Sequence, residues 1–137
     1  MNRFLITIVL SITLACIASA AWGKQLVREF SGSESTTTVD FEVRAPWIVD
    51  WRVTGDYPGQ MALSVNLLSA PTGEYQGRIV ITKYVDDGVK LFMEESGTFR
   101  FQVNSTLVRS WTLKVEELTR AEAEQYAEKE PYEKQKR

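Results

Sequence analysis

An all-β, antiparallel β-sandwich is the fold class this sequence predicts, jelly-roll-like, with about eight strands and a short C-terminal helix. Three observations predict it. From Lys24 onward apolar and polar residues alternate with a period of two, in segment after segment. These segments recur at roughly ten-residue spacing with turn-forming residues between them and no helical pattern intervening. The chain is also rich in β-branched residues and carries six phenylalanines and four tryptophans, enough to fill the space between two facing sheets.

Taken in order, "QLVREF" is followed by the polar turn "SGSES". "TTTVDFEV" aligns Thr37, Val39, Phe41 and Val43 in one phase, and Ala45-Pro46 ends the run because proline cannot donate to a ladder. "WIVDWRV" places Trp47, Val49, Trp51 and Val53 in phase, with Asp50 and Arg52 opposite. "GDYPG" is a turn by composition, and "QMALSVNLL" then aligns Met61, Leu63, Val65 and Leu67. After "SAPTGE" comes "GRIVITKYV", and the Asp86-Asp87-Gly88 triplet reads as a hairpin turn. "VKLFME" leads to a closing hairpin, "GTFRFQVNST" with "SWTLKVEEL". Trp47, Trp51 and Trp111 share phase with aliphatic neighbours, which predicts a core position for all three. Trp111 is expected to pack against Phe99 and Phe101.

The ends read differently. Residues 1–20 have the form of a signal peptide: Arg3, an apolar run from Phe4 to Ile17, and small residues "ASA" before the cleavage point after Ala20. The run is too short for a comfortable membrane span, so the mature chain is expected to carry no transmembrane segment. Cys16, the one cysteine, offers an alternative: lipidation at a lipobox-like Thr13-Leu14-Ala15-Cys16 would anchor the chain to the outer membrane. At the other end, Thr119-x-x-Glu122 is a capping box, followed by a helical stretch that Pro131 should stop. Its apolar face is thin (Ala123, Tyr126, Ala127), which predicts a helix that lies loosely or projects and adds little stability. The organisation expected is therefore signal peptide 1–20, β-sandwich 21–118, and helix with polar tail 119–137.

Composition excludes several chemistries. There is no histidine, and cleavage after Ala20 leaves 117 residues without cysteine, so imidazole and thiolate catalysis and zinc sites of the usual kind fall away. No phosphate-binding or dinucleotide motif is present. Loss of Arg3 takes the net charge from −2 to −3, with the charges mixed along the chain, which gives nucleic acid no basic footprint. The expectation is a non-enzyme.

One constellation points to a ligand. If successive strands reverse, alternate connections share one end of the sandwich, gathering Glu34, Asp56, Tyr57, Asp86, Asp87 and Asn104. Asp56, Asp86, Asp87 and Asn104 supply the oxygen ligands calcium takes, and Tyr57 and Glu34 could contact a sugar. Solvated acidic turns have the same composition. Asn104-Ser105-Thr106 also matches the glycosylation sequon, which carries meaning only in a host that glycosylates it.

The segments "EFSGSESTTTVDFEV", "PWIVDWRV" and "SGTFRFQVNSTLVRSWTLKVEE" together resemble small exported bacterial β-sandwich domains of unassigned function. The closing pair of strands is similar to bacterial pre-peptidase C-terminal domains, although the acidic Asp-Leu-Asp strand of those modules is absent. The resemblance spans roughly Glu29 to Glu116 and implies a sandwich fold and an exported compartment, with no site residues. The functional expectation is an exported, periplasmic or secreted binding module of the bacterial envelope, its partner a protein or a glycan. The alternative is a structural or accessory periplasmic protein without a small ligand.

Overall fold

The computed structural model describes residues 23–135, with side chains through residue 128. The signal sequence, Cys16 and Trp22 lie outside the described residues. Among the described residues, nine strands form two antiparallel sheets. In order they are β1 (Gln25–Gly32), β2 (Thr36–Thr37), β3 (Phe41–Val43), β4 (Trp47–Thr54), β5 (Ala62–Ser69), β6 (Tyr75–Thr82), β7 (Asp86–Phe92), β8 (Gly97–Thr106) and β9 (Ser110–Glu117), followed by α1 (Arg120–Gln135). One sheet runs β1-β9-β4-β7; the other runs β2-β8-β5-β6, with β3 also on β8.

Period-two alternation converts directly into burial. Met61, Leu63, Val65 and Leu67 are all fully buried, and so are Val49 and Val53 of β4 and Leu113 and Val115 of β9. Trp47, Trp51 and Trp111 are in the core, as their phase predicts. Aromatic packing is concentrated at one end, where Trp47 stacks on Phe92 at 4.3 Å and on Phe99 at 5.7 Å, and Phe41 stacks on Phe101 at 4.9 Å. Phe30 of β1 meets Phe41 and Phe101 at 5.9 Å each, closing that lateral side of the sandwich.

Several local expectations are corrected. β8 and β9 are not a hairpin: β8 pairs with β5 and β9 with β4, so the chain crosses between sheets at Leu107–Arg109. Trp111 consequently faces neither Phe99 nor Phe101 in any aromatic pair; its ring lies against Gly32, and its indole N–H donates to the Glu34 carbonyl at 3.1 Å. Asp86-Asp87-Gly88 is not a turn but the start of β7, with Asp86 opposite Val53 and Gly88 opposite Trp51. The "TTTVDFEV" segment splits into two strands because the Thr38 hydroxyl accepts the Phe101 N–H at 3.0 Å in place of a backbone group. Val39 then turns outward and is exposed.

α1 begins as its capping box directs: Thr119 N–H donates to Glu122 Oε1 at 3.0 Å, and Glu122 N–H to Thr119 Oγ1 at 3.2 Å. It continues past Pro131 to Gln135, since a proline deletes one helical hydrogen bond and can bend a helix without ending it. Its first turns do not project. Ala123 and Leu118 are buried with Ile48 of β4, and Leu91, Met93 and Tyr126 pack around them. This small second core covers the outer face of the first sheet around Ile48, which explains why that residue, out of phase with Trp47 and Val49, is fully buried. Lys24 stands 5.4 Å from the Tyr126 ring centroid. Its hydrogen bond with the phenol raises the ammonium pKa above its ordinary value, partial burial opposes the rise, and the Glu116 and Asp50 carboxylates add to it. No helix among the described residues is long and apolar enough to cross a membrane.

Candidate functional site

Strand direction gathers the loops as the alternation implies. Gly32 lies opposite Trp111, Thr54 opposite Ser110, Val53 opposite Asp86 and Ala62 opposite Thr106. The connections after β1, β4, β6 and β8 therefore share one end. Ser105 ties this end together, its hydroxyl donating to the Ser33 carbonyl at 2.8 Å and its N–H to Ser35 Oγ at 2.8 Å.

The acidic residues do not converge within it. Among the described residues, no group of three or more acidic side chains is placed to hold a metal ion. Asp56 pairs with Arg109 at 3.6 Å, and Asp86 Oδ1 accepts the Asp87 N–H at 2.9 Å. Asp86 and Asp87 are adjacent on a strand, so their side chains leave on opposite faces. Asn104 is inside β8 opposite Ser64, on the exposed outer face of the second sheet. Glu34 contributes its backbone carbonyl to Trp111, while its side chain and that of Tyr57 are exposed. Glu34, Asp56 and Tyr57 lie in connections, Asp86 and Asp87 in β7 and Asn104 in β8.

A different feature has the form of a site. β6 and β7 are the last strands of their respective sheets and lie on the same lateral side, opposite the side that Phe30 closes. They do not pair with each other. Between them opens a cleft of about 550 Å³ lined by Trp51, Ile79, Val80, Ile81, Thr82, Lys83, Tyr84 and Asp86. That volume falls in the usual range for ligand sites, and its walls are mostly apolar with a few polar groups, as such sites are. A shallower hollow of about 360 Å³ continues around β7 past Val85 and shares Asp86.

Trp51 forms the inner wall. It is 8% exposed, and its ring lies directly on Gly88, where a Cβ would come within 2.6 Å of Cζ2 and 3.0 Å of Nε1. Only glycine at this position of β7 lets the indole reach the open edge. The Trp47 N–H donates to the Glu95 carbonyl at 2.6 Å and the Trp111 N–H to the Glu34 carbonyl. The Trp51 N–H makes no such bond among the described residues and is not one of their buried unsatisfied donors, so it is open to solvent. At the mouth, the Thr82 hydroxyl accepts the Tyr84 N–H at 3.2 Å and fixes the turn that presents Tyr84. The Lys83 carbonyl accepts the Gly59 N–H at 2.8 Å, joining this turn to the β4–β5 loop.

Of the nine large apolar side chains exposed among the described residues, Ile81 and Tyr84 line this cleft and Val85 the hollow beside it. Sequence reading placed Trp51 in the core but missed the cleft beside it. The available signal was "RIVITKYV", where both phases of the strand are apolar and one must therefore face outward.

No protein-family model matches this chain, and no curated protein matches it.

Proposed function

We propose that the chain is an exported, non-catalytic binding module of the bacterial envelope, which takes its ligand at the cleft between β6 and β7. The observation that carries this reading is an open, mostly apolar cleft of ligand-site volume, with the Trp51 indole as its inner wall and the exposed Ile81 and Tyr84 in its lining. The signal-like residues 1–20 support export, with Cys16 the lipidation point in the anchored alternative. The strand orders β1-β9-β4-β7 and β2/β3-β8-β5-β6 support the jelly-roll part of the reading, since early and late strands interleave in both sheets. Lys83 and Asp86 are too few, and too open to solvent, to make an acid–base pair for chemistry, which favours binding over catalysis.

A photo-crosslinking residue at Tyr84 of the exported chain tests the site. In intact cells it should yield one discrete adduct that the same residue at Val39 does not. Identical patterns from the two positions would remove the cleft from consideration and leave the accessory, ligand-free role. Mass spectrometry of the mature protein separates the compartments: an N-terminus at Ala21 is expected for a free periplasmic or secreted chain, a lipidated Cys16 for an anchored one.

A further inference from the structure

We infer that the ligand is an extended, acid-flanked polypeptide segment that adds to β6 as a further strand and sets an apolar side chain into the Trp51 cleft; this rests on the binding-module reading above.

β6 ends its sheet, so the main-chain groups on its far edge have no strand partner. Protein edges are commonly blunted by bulges, charges or proline. In β6 one register shift falls near its start, at Leu67/Leu68, and the other in mid-strand at Ile79, between Arg78 opposite Asn66 and Val80 opposite Val65. Beyond them, Val80, Ile81 and Thr82 pair regularly with Val65, Ser64 and Leu63, and none is charged. That stretch offers an intact, uncharged edge directly above the cleft. An added strand would gain main-chain hydrogen bonds from the edge and selectivity from alternate side chains, those on one face entering the cleft.

Charge identifies the occupant. Arg78 and Lys83 flank the uncharged stretch, and neither forms an ion pair among the described residues. Tyr75–Lys83 contains these two cations and no acid. A second copy adding through its own β6 would oppose cations to cations. Because Ile79 is bulged out of register, Arg78 and Lys83 stand four partner positions apart, and a segment with acidic residues four positions apart, about 13 Å at strand rise, would pair with both. A glycan is less well served, because the Thr82 hydroxyl is already engaged by Tyr84, while the unused main-chain groups of β6 are what a peptide needs.

The test uses the mature chain and the capped peptide Thr-Glu-Val-Thr-Phe-Glu-Thr, followed by tryptophan fluorescence. Binding is expected, weakened at least about tenfold when the amides along one edge of the peptide are N-methylated and nearly unchanged when those along the other edge are. Replacing both peptide glutamates by lysine should cost about three- to tenfold, and the exposed double variant Arg78→Glu, Lys83→Glu should reverse that preference. Equal sensitivity to methylation of either edge would overturn strand addition. Preference for a soluble glycan over the peptide, or a dimer whose β6 amides are protected from exchange only in the dimer, would overturn the peptide assignment. A Tyr84 adduct in cells combined with any of these failures leaves the binding-module reading standing. Failure of the peptide together with absence of the adduct removes both.

Discussion

Gly88 of β7 and Trp51 of β4 sit opposite each other in register, and the indole occupies the space a side chain at position 88 would need. Gly88→Ala should therefore either push the ring into the cleft or pry β7 outward. A cost of about 1–3 kcal/mol is expected, the range for overpacking a well-filled site. Denaturant unfolding of the variant checks it. In a Trp51→Leu background the same change should cost much less, because the clash is with the indole.

Trp111 is core by burial, and its N–H is satisfied by the Glu34 carbonyl. Trp111→Ala should destabilise the fold by about 3–5 kcal/mol, as removal of a buried large aromatic does. Trp111→Phe keeps part of the ring and loses the hydrogen bond, so it should cost less. Equilibrium unfolding of both variants distinguishes packing from the bond. Because the ring lies on Gly32, loss of Trp111 should also loosen the β1–β2 connection, visible as faster amide exchange at Ser33 to Ser35.

Much of this architecture was legible because it is local. The alternation of Met61, Leu63, Val65 and Leu67 states which face each residue takes, and the Thr119–Glu122 box states where a helix starts. Sheet membership is not local. "GTFRFQVNST" and "SWTLKVEE" look like a hairpin from either strand alone; their assignment to different sheets depends on β5 and β4, distant in sequence. Asp86-Asp87-Gly88 has turn chemistry, yet Gly88 is selected by the bulk of Trp51 rather than by a backbone turn. The acidic end was deduced correctly as a shared end, but side-chain convergence depends on strand pleat and on partners such as Arg109, which periodicity does not encode. The cleft arises from two edges lacking a neighbour, a property of no single segment.

The helix provides a sharper measurement. Ile48 is fully buried in a cluster to which α1 contributes Ala123, equally inaccessible, and Tyr126. A chain ending at Leu118 should lose about 1.5–3 kcal/mol, the worth of one fully buried large aliphatic side chain. Ala123→Glu should do similar damage without shortening the chain, since a charge has no place against Ile48. An unchanged unfolding midpoint in both would mean that α1 contributes nothing to stability.

Leu107 links β8 to β9 with φ at 55°, the one non-glycine residue in the left-handed region among those described, and its side chain is exposed. A leucine held there carries about 1–2 kcal/mol of conformational cost from its Cβ, which asparagine tolerates better. Leu107→Asn is therefore expected to stabilise the protein by about 0.5–1 kcal/mol, read as a raised midpoint with an unchanged denaturant slope. The side chain leaves little behind, because it buries little. Arg109 N–H, which donates to the Thr54 carbonyl at 2.8 Å, keeps the connection in place, so the relief should not be offset by movement of β9. The loop shares its end of the sandwich with the mouth of the cleft but leaves β8, which β5 separates from β6, so peptide binding at Trp51 should be the same in the variant. A destabilised Leu107→Asn would show that the leucine makes contacts worth more than its backbone strain.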